Sequence, residues 1–198
     1  MPSEQGPAFR GFVVVTGPPA SGKSSLAPAL AAELDLPLLA KDVIKDALIE
    51  VLDAPDLPRS RELGRAAVHV LLAVARTAGR GVMEGVWYDR TRGPLAALPG
   101  PVVEVFCRCP PAVLRERYVA RSTGRGAGYF DLDRDPAELW NAEVGTPVAG
   151  GWPVVEVDTA REVDVAVLAA RVAAAARHSV SCGSTPQQSE TEIRRWNG

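Results

Sequence analysis

The chain has 198 residues and a formal net charge of -2. This length predicts a single domain with one hydrophobic core. The small net charge excludes a global basic field of the kind that attracts nucleic acid or an anionic membrane. Three cysteines, Cys107, Cys109 and Cys182, lack the spacing of a disulfide framework or a zinc site. With no signal-peptide pattern and no apolar run long enough to cross a bilayer, we expect a cytoplasmic protein.

The composition divides the chain into three segments. The sequence predicts a loose leader at residues 1–10 and one folded domain at residues 11–178. Residues 179–198 are rich in Ser, Gln, Thr and Glu and poor in apolar residues, which predicts a disordered tail.

The first folded stretch carries the strongest motif. A buried strand is predicted at residues 11–16 and a helix at 24–34, and the loop between them fits G-x-x-x-x-G-K-[ST]. Its glycines let backbone N–H groups face phosphate oxygens, Lys23 supplies a charge for the β- and γ-phosphates, and the Ser24 hydroxyl can ligate Mg²⁺. The motif therefore predicts a site for a nucleoside triphosphate. The residues assigned to it are Gly17, Pro18, Pro19, Ala20, Ser21, Gly22, Lys23, Ser24 and Ser25.

Two acidic residues follow at the ends of later strands. A short strand at 36–40 ends in Lys41 and Asp42, and Asp42 is placed to be the N-cap of a helix at 43–51. A long helix is predicted at 60–78, ended by Gly79. The third strand, 81–85, carries Glu84 near its end, and Trp87 and Tyr88 follow in a loop.

The second half continues the alternation of strands and helices. A strand at 101–107 precedes a helix that begins at Pro110 and carries Arg117 and Arg121. Arg125 follows in a glycine-rich stretch, and a strand at 152–158 and a helix at 163–177 complete the domain. This order predicts an α/β fold with a parallel sheet covered on both faces. Ligands of such sheets bind beyond the carboxyl ends of the strands, where the phosphate loop, Asp42 and Glu84 would meet.

The order of these segments resembles the small P-loop kinases, a group that includes adenylate, shikimate and gluconate kinases, chloramphenicol phosphotransferase, polynucleotide 5′-kinase and the zeta-toxin-like or AAA-like kinases. The resemblance covers residues 11–177 and rests on four stretches: 17–24, 39–45, 116–121 and 155–159. It implies a three-layer P-loop fold with sheet order 2-3-1-4-5 and a lid at about residues 110–150. It also implies ATP and Mg²⁺ as cofactors, with GTP not excluded.

The resemblance further assigns roles to individual residues. Asp42 is expected to be the general base that activates an acceptor hydroxyl, with the N-cap role as the alternative. Arg117, Arg121 and Arg125 are expected to contact the nucleotide from the lid. The expected catalytic residues are Lys23, Asp42 and Arg121.

The metal and the acceptor are expected at the strand ends. Ser24 and Glu84 are expected at the metal, with substrate contact or an arginine partner as alternatives for Glu84. Aromatic residues in ligand-side loops can line a pocket or fill the core, so we expect Trp87 and Tyr88 in either role. The residues assigned to the acceptor are Lys41, Asp42, Lys45, Glu84, Trp87 and Tyr88.

Three functions are compatible with these expectations. The first is an ATP-dependent kinase for an antibiotic, a sugar or a nucleoside-like molecule, acting as a monomer or homodimer. The second is a nucleic-acid 5′-hydroxyl kinase, against which the missing basic patch and absent second domain argue. The third is a nucleotide-dependent switch or mechanical ATPase, which usually needs four apolar residues followed by Asp where this chain has Val82, Met83 and Glu84.

Overall fold

The computed structural model describes residues 9–122, 124 and 126–180. Five strands lie in this part of the chain: β1 (Phe12–Thr16), β2 (Leu38–Ala40), β3 (Gly81–Glu84), β4 (Val102–Arg108) and β5 (Val154–Asp158). The helices there are α1 (Lys23–Glu33), α2 (Lys41–Leu52), α3 (Leu57–Ala78), α4 (Arg92–Ala96), α5 (Pro111–Ser122), α6 (Pro136–Leu139) and α7 (Val165–Val180). The expected leader and tail fall mostly outside the described residues.

The strands form one parallel sheet in the order β2-β3-β1-β4-β5, as the sequence predicts. Ala40, Glu84 and Val15 are paired across β2, β3 and β1, so they lie in one row at the carboxyl edge of the sheet. This register brings the phosphate loop after β1 close to the residues that follow β2. The fold is that of a P-loop NTPase, as predicted.

Side chains alternate between two hydrophobic clusters because successive residues of a strand face opposite sides of the sheet. Val13 and Val15 pack with α1 and α7 on one side. Phe12 and Val14 pack with α3 on the other. Both sets are fully buried, which explains why β1 reads as a continuous apolar run.

A buried carboxylate fixes the loop before β5. Glu104 is fully buried in β4, where it accepts hydrogen bonds from the backbone N–H groups of Val148 and Ala149 at 2.7 and 2.9 Å. The indole N–H of Trp152 donates a third bond at 2.9 Å. Three donors compensate for the burial of this polar group, so its role is to hold the loop.

The structure corrects three local expectations. Asp42 does not cap α2: the helix begins at Lys41, Ala40 occupies the N-cap position, and Asp42 lies in the first turn. Helix α3 begins at Leu57, before the expected residue 60, because Asp56 caps it by accepting from the N–H of Arg59. The expected loop after Trp87 instead forms a short 3-10 helix, Asp89–Thr91, followed by α4.

Candidate active site

The phosphate loop turns sharply between β1 and α1. Gly17 has a φ of 139°, and a Cβ there would lie 2.7 Å from the carbonyl oxygen of Cys107. Gly22, at the N-cap of α1, has a left-handed φ of 84°. Both conformations are unfavourable for residues with a side chain, which gives the two motif glycines a structural reason. The Thr159 hydroxyl donates to the Ser21 carbonyl oxygen at 2.7 Å and so ties the loop to the end of β5.

Lys23 lies folded back into the loop. Its ammonium group donates to the carbonyl oxygens of Gly17 and Pro18 at 2.9 and 2.7 Å, and only 6% of the residue is exposed. Burial lowers the pKa of Lys23 to about 8, and the attraction of Glu84 partly opposes that shift. A polyanion placed in the loop would favour the charged ammonium, so the site is built for a negatively charged ligand.

Glu84 and Ser24 meet at the carboxyl edge of β3. The Ser24 hydroxyl donates to a carboxylate oxygen of Glu84 at 3.1 Å, and Glu84 is 4% exposed. Burial raises the pKa of Glu84, nearby Asp42 raises it further, and Lys23 opposes the shift. Hydroxyl and carboxylate oxygens are the donors that Mg²⁺ accepts, and this ion usually keeps waters and phosphate oxygens as its other ligands. The pair therefore fits a nucleotide-bound Mg²⁺.

Asp42 stands at the start of α2, directly after β2. One of its carboxylate oxygens is 2.9 Å from the ammonium group of Lys41, and the Asp42 side chain is 34% exposed. Asp42 also affects the pKa values of Lys23 and Glu84 electrostatically. The carboxylate is not used as a helix cap, and Asp42 lines the wall of the cavity described next.

One cavity of about 1120 Å³ joins these residues. Its volume exceeds the range of about 300 to 1,000 Å³ typical of a single small-molecule site, so it has room for a nucleotide and a second ligand. We call the part around the phosphate loop the donor end, and the part between α2 and α3 the acceptor end. The donor end includes Lys23, Ser24, Arg117, Arg121 and Thr159. The acceptor end includes Lys41, Asp42, Lys45, Ser60, Arg61, Gly64, Arg65, Tyr88, Arg90, Tyr129, Arg134 and Glu138.

The two described lid arginines line the cavity. Arg117 donates to the carbonyl oxygen of Thr159 at 3.0 Å, and the guanidinium of Arg121 lies 5.2 Å from the centre of the Tyr118 ring. Both helical positions therefore reach the donor end, whereas the assignment of Arg125 lies outside the described residues.

The predicted aromatic residues divide between the cavity and the core. Trp87 is 2% exposed and packs in the hydrophobic cluster below α3, so the expectation that it lines the acceptor pocket is replaced by a core role. Tyr88 lines the cavity, and the Arg90 guanidinium stacks 4.1 Å from its ring centre. The indole N–H of Trp140 donates to the carbonyl oxygen of Pro19 at 3.4 Å, so this lid residue touches the phosphate loop.

The segment expected to be the lid also contacts the acceptor end. Tyr129 donates to a carboxylate oxygen of Asp46 at 2.6 Å and to the Asp42 carbonyl oxygen at 3.3 Å. Glu138 accepts from Arg61 of α3 at 2.6 Å and from Arg134 at 2.9 Å. Segment 126–140 thus contacts α2, α3 and the phosphate loop.

Sequence reasoning missed the contribution of α3. Its cavity-facing residues Ser60, Arg61, Gly64 and Arg65 recur at spacings of one, three and four. A row of polar residues and glycine along one face of a helix is the sequence pattern that could have predicted this contribution to the cavity. The sequence alone does not show that this face opposes α2.

The fold and the site define a class, the small P-loop kinases, and comparisons with known proteins agree. A family model described as an AAA domain (AAA_33) matches residues 12–147. The chain belongs to this family. No curated protein matches the sequence.

Solved structures share the fold over most of the chain. A candidate kinase from Chloroflexus aurantiacus J-10-fl is 29% identical, with a TM-score of 0.70 over 82% of this chain and 96% of its own. A gluconokinase from Sinorhizobium meliloti 1021 is 19% identical, with a TM-score of 0.52 over 89% and 94%. The APS kinase CysC of Mycobacterium tuberculosis, in complex with AMPPNP and APS, is 19% identical, with a TM-score of 0.53 over 85% and 98%.

The described part of the chain has neither a membrane-spanning helix nor a cluster of metal-binding side chains. None of its helices is both long and apolar enough to span a membrane. The same residues contain no group of three or more His, Cys, Asp or Glu that could hold a metal. A metal at Ser24 and Glu84 would therefore depend on nucleotide phosphates and water for its remaining ligands.

Proposed function

We propose that the protein is an ATP- and Mg²⁺-dependent phosphotransferase that moves the γ-phosphoryl group to a hydroxyl of a small molecule. The observation that carries this proposal is that the phosphate loop, Glu84 and Asp42 line one cavity with room for two ligands. Membership of the AAA_33 family and the likeness to the candidate kinase of C. aurantiacus support it. The acceptor class remains the one expected from the sequence, namely an antibiotic, a sugar or a nucleoside-like molecule.

In this proposal the donor end holds the triphosphate. The loop N–H groups and Lys23 bind the β- and γ-phosphates, and Arg117 and Arg121 contact them from the lid. Ser24 and Glu84 would hold Mg²⁺, which supplies neutralisation of the phosphate charge during transfer. Burial in the loop excludes water and strengthens these electrostatic interactions.

The acceptor end orients the nucleophile. The Asp42 carboxylate accepts the proton of the acceptor hydroxyl while the hydroxyl oxygen forms a bond to the γ-phosphorus. The bond between that phosphorus and the bridging oxygen breaks, and ADP leaves with the electron pair. Phosphoryl transfer needs positioning and charge neutralisation more than covalent help, which suits a site with one carboxylate base.

The first experiment separates this proposal from a nucleotide switch. The protein is incubated with ATP and Mg²⁺, alone and with pooled hydroxyl compounds, and ADP formation is followed. We expect ADP formation to rise with at least one pool and a phosphorylated product to appear by mass spectrometry. ATP use that is independent of every acceptor would favour a switch or mechanical ATPase instead.

The second experiment tests Asp42. The change Asp42→Asn keeps the size of the side chain and removes the base, so we expect ATP binding to persist while transfer falls by about 10² to 10⁴. Glu50→Gln is the matched control, because this carboxylate lies two turns later on α2, is exposed and does not line the cavity, so transfer should be unchanged. Near-full transfer by Asp42→Asn would exclude the carboxylate as the base.

A further inference from the structure

Lysine has an unusual distribution in this protein. The sequence contains three lysines, Lys23, Lys41 and Lys45, against 19 arginines. All three lysines line the same cavity. An ammonium group is a compact point charge on a flexible stem, whereas the guanidinium group is a broad planar fork. The lysines of this arginine-rich chain therefore all lie around one cavity. Of the three, only Lys23 belongs to the phosphate loop.

The other two lysines converge at the acceptor end. They are four residues apart on α2 and therefore project from the same face. Across from them, α3 presents Ser60 and Gly64. The Lys45 ammonium donates to the Ser60 hydroxyl at 2.8 Å. A Cβ on Gly64 would lie 3.9 Å from the Lys41 ammonium and 4.0 Å from Cε of Lys45, so the missing side chain leaves space beside both lysines.

Lys45 is buried to an unusual degree for a lysine. It is 4% exposed, and its ammonium lies 4.2 Å above the centre of the Tyr129 ring. Placing a charged amine away from water costs free energy, and contacts with a hydroxyl and an aromatic face reduce that cost. A buried lysine on the wall of a cavity is suited to bind an anionic ligand, because its ammonium group has three N–H donors and carries a positive charge.

The charge of the cavity wall also favours an anionic ligand. Among the described residues, ten lysine and arginine side chains line the cavity against three carboxylates, Asp42, Glu84 and Glu138. The whole chain is slightly acidic, so the positive charge is concentrated here. The triphosphate accounts for the cations of the donor end. Lys41, Lys45, Arg65 and Arg90 belong to the acceptor end, where they produce a positive field.

We infer that the acceptor carries an anionic group, a carboxylate, phosphate or sulfate, which Lys41 and Lys45 bind in the space beside Gly64. This inference rests on the proposed function, since it names the chemical class of the second substrate. It also places the anionic group beside the proposed base, because a carboxylate oxygen of Asp42 lies 2.9 Å from the Lys41 ammonium group.

The test uses small anions, so that its result does not depend on the rest of the acceptor. The full-length protein is first saturated with AMPPNP and Mg²⁺ to fill the phosphate loop. Acetate, phosphate or sulfate is then added, with chloride at equal ionic strength as the reference. Two quantities are measured: the melting temperature, and the rate at which acetic anhydride modifies each lysine, read from peptide masses. Comparing the three anions distinguishes a carboxylate from a phosphate or sulfate.

We expect at least one anion to raise the melting temperature and to slow acetylation of Lys41 and Lys45 by about tenfold or more, the scale of one charge-assisted contact. In Lys45→Met this anion effect should be lost, while stabilisation by AMPPNP persists. If Lys45→Met does not fold, Lys41→Met is the second variant, because the Lys41 side chain is 22% exposed and its removal should also abolish the anion effect. Arg115→Met, which removes an exposed cation of α5 outside the cavity, should retain the full anion effect.

Two outcomes would overturn the inference. One is that no anion differs from chloride in either measurement. The other is that the effect remains in both Lys41→Met and Lys45→Met, which would place the anion elsewhere. Neither measurement requires phosphoryl transfer. A failure of the proposed kinase activity would appear separately, as ATP use that no hydroxyl compound stimulates.

Discussion

The donor and acceptor ends of the cavity are built in different ways. The donor end is built around eight consecutive residues, 17–24, whose backbone groups and glycines set the shape of the phosphate loop. The acceptor end is assembled from α2, α3 and the lid, and side chains define it. The backbone of the phosphate loop fixes its shape, so the loop suits one kind of ligand. The acceptor end is formed by side chains from distant segments, and these side chains can be substituted without altering the fold. The difference explains how one scaffold can pair a fixed phosphate donor with varied acceptors.

The largest expected effect is at the donor end. Lys23→Ala removes the charge that binds the phosphates, so ATP should no longer stabilise the protein. With nucleotide at about a hundred times its Kd, wild type gains about 2.7 kcal/mol from binding, and this gain should disappear. Melting temperatures with and without Mg²⁺-ATP measure it. Arg76→Ala, an exposed charge at the end of α3, should behave as wild type; an unchanged ATP shift in Lys23→Ala would contradict the loop assignment.

Glu84 lies between the donor and acceptor ends of the cavity. The variant Glu84→Gln should increase the stability of the ligand-free protein and weaken its use of Mg²⁺. Because the folded-state pKa of Glu84 is raised, its contribution to stability is present below the unfolded pKa and is lost as pH rises through the folded pKa. At neutral pH the uncharged glutamine should therefore stabilise the ligand-free protein, and the advantage should vanish near pH 4. Urea denaturation at several pH values measures it.

The same variant should weaken metal use. The loss of the carboxylate beside Ser24 should raise the Mg²⁺ concentration needed for ATP binding by about 10- to 100-fold, as removal of metal-supporting groups does elsewhere. Titration of Mg²⁺ at fixed ATP checks this. Glu104→Gln is the matched control, because that glutamate is buried away from the cavity and should change stability alone.

A smaller effect is expected from Tyr129→Phe at the acceptor end. The change removes the hydroxyl that contacts Asp46 and the Asp42 carbonyl, and keeps the ring over Lys45. The lid should be held on α2 less tightly, at a cost of about 1 kcal/mol in the free energy of unfolding. Tyr118→Phe, which removes a hydrogen bond to Asp131 inside the lid, is the comparison. Faster proteolysis near residue 126 only in Tyr129→Phe would support the contact, and equal rates would argue against it.

The smallest expected effect is the uptake of a proton by Lys23 when a triphosphate binds. Lys23 has a folded-state pKa of about 8, below its usual 10.5, so ligand-free stability should rise as pH increases from about 8 to 10.5. Triphosphate binding favours the ammonium form, so binding at about pH 9 should take up close to one proton, and binding at about pH 6.5 almost none. Isothermal titration calorimetry in buffers with different ionisation enthalpies measures the number of protons taken up on binding. Proton uptake of equal size at both pH values would assign it to another group.

The contrast between the two ends also determines what the sequence predicts. The strand, loop and helix around residues 17–24, the sheet order and the positions of Asp42 and Glu84 at strand ends agree with the structure, because motif and strand order are local or topological properties. Trp87 was misplaced among the candidate pocket residues because a large aromatic residue in a loop can turn either inward or outward. The row of polar residues on α3 was missed because a helix face acquires its meaning only from the element that it opposes.

The hydrogen bond between Trp140 and Pro19 gives the protein a built-in optical reporter. The indole touches the phosphate loop and stacks edge-on against Tyr118 at 5.3 Å, so its surroundings depend on both the loop and the lid. Trp87 and Trp152 are held in the folded body by other contacts. Filling the loop should therefore shift the fluorescence of Trp140 far more than theirs. In a Trp140→Phe variant that spectral change should vanish, so nucleotide and lid motion can be followed without an attached dye.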